Sequence, residues 1–314
     1  MKILVIFTGG TIGSVLNDGW ISPDGQTKKA LISHYEKTYG NDICFATKEP
    51  YSILSENLCA DNINQLVNAV KDELDAGFDG IVVTHGTDTL QYSAAALGFA
   101  LGNCHIPVLM VSSNYPLDDD RANGHVNFAA AVEFIKSKAG KGVFAVYRND
   151  NHSVYLHKAL SLLTHSEGND SLHSFGSKYF AKLTDEGFAV SENTDKFNEA
   201  LDFTLCKHPQ ILVVNAYPGE SYDYNLENYK AVILRPYHSG TLDTANEKFE
   251  QFCVSAAKKG IPVFVVNVKE GTTYASSKEF DNYKIVPLYS YSFVSAYMRL
   301  WIAISKNEDL NTVF

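Results

Sequence analysis

The stretch Ile3-Leu4-Val5-Ile6-Phe7-Thr8-Gly9-Gly10-Thr11-Ile12-Gly13 decides the fold. Apolar residues run without interruption from Ile3 to Phe7 and then break into threonine and glycine. Such a run is the pattern of a strand buried on both faces, the habit of parallel sheets covered by helices. Gly80-Ile81-Val82-Val83-Thr84 repeats it and ends in another polar turn, His85-Gly86-Thr87-Asp88-Thr89. Just before, Asp61–Ala76 sets Ile63, Leu66, Val67, Val70 and Leu74 at helical spacing, giving one apolar stripe to lay on a sheet.

Outward from these elements the alternation continues. Leu90–Leu101 reads as a helix, Pro107–Val111 as a strand, Ala122–Lys136 as a helix and Gly142–Tyr147 as a strand. Alternating β and α elements predict an α/β fold with a doubly wound, mainly parallel sheet. Ser177–Asn198 breaks the rhythm with the polar groups KLTDEG and SENTDK. The alternation then restarts with strands at Ile211–Asn215, Ala231–Pro236 and Pro262–Val268, and helices at Asn246–Lys259 and Ser295–Ser305. The expected organisation is a large N-terminal domain over 1–185, a linker over 186–208 and a smaller C-terminal α/β domain over 209–314.

Composition narrows the function classes. A chain of 314 residues buries a core without metal or disulfide staples. With 45% hydrophobic and 20% charged residues, disordered and collagen-like classes are excluded. The net charge of −10 argues against nucleic acid and anionic membrane as partners. Cys44, Cys59, Cys104, Cys206 and Cys253 are odd in number and scattered, so they are expected as reduced, buried core thiols. The opening MKILVIFTGG is too short for a signal-peptide core and reads as a strand. No apolar run approaches the ~18 residues of a membrane helix. A cytoplasmic protein is expected.

The two polar turns carry the chemistry. Each follows a predicted parallel strand, and ligands of open α/β sheets bind outside the carboxyl ends of strands. Glycine lets backbone N–H groups come close to a substrate, while hydroxyl and carboxylate groups supply a nucleophile and polar anchors. Thr8-Gly9-Gly10-Thr11-Ile12-Gly13 has neither the GK[ST] of a phosphate-binding loop nor the GxGxxG of a dinucleotide fingerprint. Taken alone it reads equally well as a tight turn, and HGTDT alone is weaker still. Together, in this order, they are specific.

With these turns the chain resembles the bacterial-type L-asparaginases and their amidohydrolase relatives over most of its length, most clearly in the first 175 residues. Ser55-Glu56-Asn57-Leu58 is similar to the family's substrate-gripping turn, and Asp120-Arg121-Ala122-Asn123 to a structural motif. His165–Leu172 with Ser174 is similar to the segment after the family's lysine, and Tyr237-His238-Ser239-Gly240-Thr241 to a loop of its second domain.

The resemblance implies hydrolysis of the side-chain amide of L-asparagine through a threonine acyl-enzyme, which splits one hard step into two easier ones. It makes Thr11 the nucleophile. Thr87 positions water or relays a proton, and Asp88 holds the substrate's α-ammonium. Ser55 contacts the α-carboxylate, Glu56 stands where many relatives carry glutamine, and backbone N–H groups at Gly86 and Thr87 cradle the oxyanion. It implies no cofactor and no metal, a small-molecule substrate, and a homodimer or homotetramer.

Two positions depart from the family pattern. Trp20, in Asp18-Gly19-Trp20-Ile21, stands where a mobile lid carries a tyrosine, and indole has no hydroxyl to shuttle a proton. Leu163 stands where the family has a lysine two residues before a histidine. Lys158 is five residues earlier, an odd offset that an extended strand turns to the opposite face. Tyr237 and His238 are open both to a catalytic and to a structural reading. In the final helix Val294 offers no carboxylate where an intersubunit acidic partner is sought.

Other clusters have plainer readings. His152, His157, His165 and His173 are spaced unlike any compact metal motif. Asp118-Asp119-Asp120 reads as a solvated turn capping the following helix. The aromatic Tyr283–Trp301 reads as core or as an interface between copies of the chain. Two alternatives to asparagine hydrolysis stay open: an amidohydrolase or deglycase of the same fold acting on another small amide or amine, and a non-catalytic homologue that binds acidic amino acids.

Overall fold

The computed structural model describes residues 1–17, 20–23, 27–166, 168–191, 199–271 and 274–314, and for 16–29 the backbone alone. The chain divides into two compact units, Met1–Asp202 and Phe203–Phe314. Gly187–Val190, inside the segment expected as linker, is a paired strand of the first unit.

In the first unit the chain order is β1 (Lys2–Phe7), β2 (Ser14–Asn17), β3 (Trp20–Pro23), α1 (Thr27–Tyr39), β4 (Cys44–Lys48), α2 (Ala60–Lys71) and β5 (Gly80–Thr84). Then follow α3 (Leu90–Leu101), β6 (Pro107–Val111), α4 (Gly124–Ser137), β7 (Gly142–Arg148), β8 (Val154–Lys158), β9 (Ala181–Thr184) and β10 (Gly187–Val190). The sheet runs β10-β9-β8-β7-β6-β5-β1-β4. Its β4-β1-β5-β6-β7 part is parallel, with Ile3 opposite both Phe45 and Gly80; β8, β9 and β10 add antiparallel pairs. This is the doubly wound α/β fold. After β1 the chain goes to one side to form β4 and then to the other to form β5, so the order reverses at the β1/β5 boundary. Ligand crevices of open α/β sheets open at such a switch point.

Residues of alternate parity serve the two faces. Ile3, Val5, Phe7, Val82, Leu109, Val111, Phe144 and Val146 join Leu31 and Tyr35 of α1 and Phe128, Val132 and Ile135 of α4 in one buried cluster. α2 turns Ile63, Leu66, Val67 and Val70 inward. α3 is buried almost all round, which its small residues Ala94–Ala96 and Gly98 permit: a Cβ on Gly98 would meet Leu160 at 2.9 Å.

Several local expectations change. The helix predicted over Asp61–Ala76 ends at Lys71, and residues 72–76 tighten into i to i+3 turns before Gly77 at φ +80°. α4 starts at Gly124 and not at Ala122. The aspartates before it do not cap it: Asp119 closes on Arg121, Nη2 to Oδ2 at 2.7 Å. Asn123 and Asn114 instead exchange amide and side-chain hydrogen bonds at 3.0 and 3.1 Å. Among the cysteines Cys104 and Cys253 are buried, but Cys44 and Cys59 are exposed and Cys206 is half-buried. Cys44 begins an edge strand, and Cys59 precedes α2 with its Sγ 2.9 Å from Asn62 Oδ1.

The second unit carries β11 (Ile211–Asn215), β12 (Ala231–Arg235), α5 (Glu247–Lys258), β13 (Val263–Val265), α6 (Ala275–Asn282), β14 (Ile285–Pro287) and α7 (Phe293–Lys306). Its sheet is parallel in the order β11-β12-β13-β14. Phe249 and Phe252 of α5 and Phe280 of α6 cover one face, with Tyr222 packed edge to face against Phe249. Val294 is 1% exposed in α7, a buried apolar position. Among the described residues no helix is long and apolar enough to cross a membrane.

Candidate active site

Three segments meet beyond the carboxyl ends of β1 and β5. The first is the turn 8–13, the second the turn 53–57 and the third the turn 85–89. The Thr8 hydroxyl donates to the Thr84 carbonyl at 2.7 Å, tying the ends of β1 and β5. Gly9 bridges to Ile53 in parallel register, Gly10 N–H donates to the Ile53 carbonyl at 2.8 Å, and Ile53 N–H donates to the Thr8 carbonyl at 3.2 Å. The Thr89 hydroxyl donates to the Ser55 carbonyl at 2.8 Å. These bonds fix the relative position of the turns through main-chain groups and the Thr8 and Thr89 hydroxyls, and they do not use the Thr11 or Thr87 side chains.

The glycines make that approach possible. Gly10 adopts φ 74°, ψ −178°, a conformation essentially restricted to glycine. Its Cα lies against the Gly86 backbone, and a Cβ on Gly86 would strike Ser55 Oγ at 2.4 Å. The residues after these two glycines are Thr11 and Thr87. Thr11 opens a single 3-10 turn, Thr11–Gly13, closed by the Gly13 N–H on the Gly10 carbonyl at 3.0 Å and braced by the Ser14 hydroxyl on the same oxygen at 2.8 Å. Both threonines are half-buried, so each retains a path to solvent or ligand.

Ser55 is buried and donates to Asp88 Oδ2 at 3.3 Å. Asp88 itself is exposed, and its main-chain carbonyl accepts from Gln91 Nε2 at 2.9 Å. Glu56, next to Ser55 in the short helical turn Ser55–Asn57, is exposed. Trp20 opens β3, where its backbone pairs with Asn17; its side chain lies outside the described residues, as do Asp18 and Gly19.

His85 is a site-shaping residue that sequence reading passed over. It is 2% exposed, and burial pushes its pKa down to about 4, so the ring is neutral. Its Nδ1 lies 2.9 Å from the Gly86 carbonyl, which can only accept, so Nδ1 carries the proton. Nε2 therefore accepts from the Ser93 hydroxyl at 2.8 Å. Among the described residues no peptide is cis, so pinning the Gly86 carbonyl sets the Thr87 N–H on the opposite edge of that plane. The signal in the sequence was a histidine one residue before the glycine, with a serine in the first turn of the helix that follows.

A cleft of about 370 Å³ opens beside Thr87 and Asp88. Gln91 and Tyr92 of α3 line it from one side, and Thr164, His165, Asn169 and Asp170 from the other. Leu163 is tied by its N–H to the His173 carbonyl at 3.0 Å. Lys158 is not part of this lining: it pairs with Phe144 in the sheet, and its ammonium lies over the Phe180 ring at 5.2 Å. In the second unit Tyr237–Thr241 is a closed turn, with the Gly240 N–H on the Tyr237 carbonyl at 2.8 Å. Among the described residues no group of three His, Cys, Asp or Glu side chains is placed to hold a metal ion.

Hydroxyl- and carboxylate-bearing turns at the switch point of a parallel sheet are the layout of an α/β protein that handles a small polar molecule. Residues 2–196 match the family model described as Asparaginase, N-terminal, and the chain belongs to that family, as an amidohydrolase. It is 28% identical over 278 aligned positions to L-asparaginase 1 of Escherichia coli K12, covering 83% of this chain and 78% of that one. It is 24% identical to a glutamyl-tRNA(Gln) amidotransferase component of Methanobrevibacter smithii, covering 99% of this chain and 74% of that one. Of three further archaeal proteins with the same name, the chain spans 64%, 64% and 55%. The solved structure of the thermostable L-asparaginase from Thermococcus kodakarensis superposes with a TM-score of 0.83 at 20% identity, covering 100% of this chain and 95% of that one, which is a likeness of fold.

Proposed function

We propose that this chain hydrolyses the side-chain amide of L-asparagine to L-aspartate and ammonia through an acyl-enzyme on Thr11. The observation that carries the reading is the backbone contact of Gly10 with Gly86, which holds Thr11 and Thr87 on adjoining turns at the switch point. Thr11 Oγ attacks the amide carbon, the C–N bond breaks as ammonia leaves, and water then cleaves the ester. The Thr87 N–H, set by the pinned Gly86 carbonyl, serves the oxyanion. Asp88, which accepts from the Ser55 hydroxyl, takes the substrate's α-ammonium, Ser55 contacts its α-carboxylate, and the Glu56 carboxylate pairs with the ammonium. By its resemblance to the family's mobile segment, Trp20 is assigned to the lid. The proposal includes a homodimer or homotetramer in the cytoplasm.

Ammonia release from asparagine by the purified protein, measured beside Thr11→Ala, tests the reading. Turnover that the variant abolishes supports the acyl-enzyme route. Turnover that survives in the variant removes Thr11 as nucleophile, and no turnover in either protein removes asparagine as substrate.

A second reading keeps the same machinery on another amide. Trp20 and Leu163 replace two groups that the family uses in proton transfer, and relatives of this chain carry the name of an amidotransferase. Competition of asparagine with glutamine and bulkier amides separates the two: the second reading fails if asparagine remains the best substrate.

A further inference from the structure

We propose that His165 is the proton relay of the Thr87–Asp88 cleft, taking the proton of the water that cleaves the Thr11 ester. The inference rests on the asparagine-hydrolysis reading above and names a residue which that reading leaves without a role. His165 comes from the loop after β8, more than seventy residues from Thr87 in the chain, yet both line the same cleft. The charged groups that face it are Asp88 from the turn after β5 and Asp170 from its own loop, with His173 further along that loop. Tyr147 of β7 stands behind it, ring to ring at 6.3 Å and 64°, so one side is closed by an aromatic wall.

That setting suits a base. Burial, with His173, favours the neutral ring; Asp170, a hydrogen bond to the Ser171 main chain and Asp88 oppose it; and burial prevails, leaving the imidazole below its ordinary value and unprotonated at neutral pH. Among the described residues no lysine lines the cleft, and imidazole is a stronger base near neutrality than the carboxylates beside it. In deacylation the water oxygen bonds to the acyl carbon, and the bond from that carbon to Thr11 Oγ breaks. One water proton passes through the Thr87 hydroxyl to His165. The imidazolium returns a proton by way of the same Thr87 hydroxyl to Thr11 Oγ, so the ring ends the cycle neutral.

The test compares His165→Gln, with His165→Asn as a second variant should the first fold poorly, against the wild type. The expected result is a fall in kcat of roughly 10²-fold or more with KM changed only a few-fold, and loss of the acid limb of the kcat profile. Asp170→Asn should move that limb to lower pH, because Asp170 holds the imidazole pKa up. Independently of turnover, the His165 imidazole followed by NMR should titrate at lower pH in Asp88→Asn. Wild-type turnover with kcat and acid limb intact in His165→Gln overturns the relay and leaves the asparagine reading standing. Absence of ammonia release by the wild type overturns that reading and the relay with it. A titration midpoint that Asp88→Asn leaves in place overturns the relay in either case.

Discussion

Gly10 and Gly86 meet main chain to main chain: a Cβ built on Gly10 would lie 2.3 Å from both the Cα and the N of Gly86. Neither partner has a flexible end to move aside. Gly10 also sits at φ 74°, where an L side chain is strained whatever the space around it. The turns bearing Thr11 and Thr87 are therefore joined by an absence of side chains.

Gly10→Ala should separate the two turns. The strained backbone alone costs about 1–3 kcal/mol, and the overlap adds displacement of the Thr87 turn. The expected outcome is a clear loss of stability in urea denaturation and loss of ammonia release. Gly13 supplies the control within the same turn, since a Cβ there meets nothing within 4 Å and its φ is not positive. Gly13→Ala should stay within about 1 kcal/mol of wild type. Equal effects of the two substitutions would refute the packing argument.

The hydrogen bond from Ser55 to Asp88 predicts how binding and chemistry separate. Ser55→Ala removes a donor to a carboxylate, and hydrogen bonds to charged groups contribute about 1.5–3 kcal/mol. If Ser55 and Asp88 hold the substrate's α-carbon substituents together, that loss appears as KM raised roughly ten- to a hundred-fold with kcat largely kept. Gly86→Ala should reproduce part of it, because its Cβ would push Ser55 Oγ from 2.4 Å. A Ser55→Ala enzyme with unchanged KM and depressed kcat would place Ser55 in the chemistry instead.

What was legible in the sequence follows burial. β1 and β5 were readable because both faces of each are covered, which forces solid apolar runs. β4 was not: Cys-Phe-Ala-Thr-Lys is an edge strand with exposed and half-buried positions, so its pattern is that of a loop. β9 and β10 were likewise hidden, since an edge hairpin carries polar residues such as Lys182 and Thr184 that break the periodicity. The first glycine turn was visible because backbone conformation demands glycine at Gly9 and Gly10, whereas Gly86 is demanded by the close approach of Ser55. His165 was visible as the start of the segment that resembles the one after the family's lysine and as one of four spaced histidines, but not as a cleft residue. Its place beside Asp88 is made by strand order, which no local pattern encodes.

His85 gives the fold a pH dependence whose sign is fixed by burial. Its pKa stands at about 4 in the folded chain against 6.5 for the free group, so the folded state favours the neutral ring. Above about pH 6.5 both states are neutral and the stabilisation is fully present. As pH falls from there toward 4 the unfolded chain takes up the proton first, and stability is lost through that window. The ring is fully buried, so little solvent screening reduces the effect, which amounts to about 3 kcal/mol. His157, 3% exposed and lowered by burial to about 3, adds a loss of the same sign that reaches lower pH. Urea denaturation between pH 7 and pH 4 should therefore show falling stability in wild type and a shallower fall in His85→Gln. That variant should also be less stable at pH 7, because it cannot bridge the Gly86 carbonyl and the Ser93 hydroxyl with the same geometry. An identical pH slope in wild type and variant would mean that the ring protonates in the folded chain as readily as in the unfolded one, and the neutral tautomer assigned to His85 would fall with it.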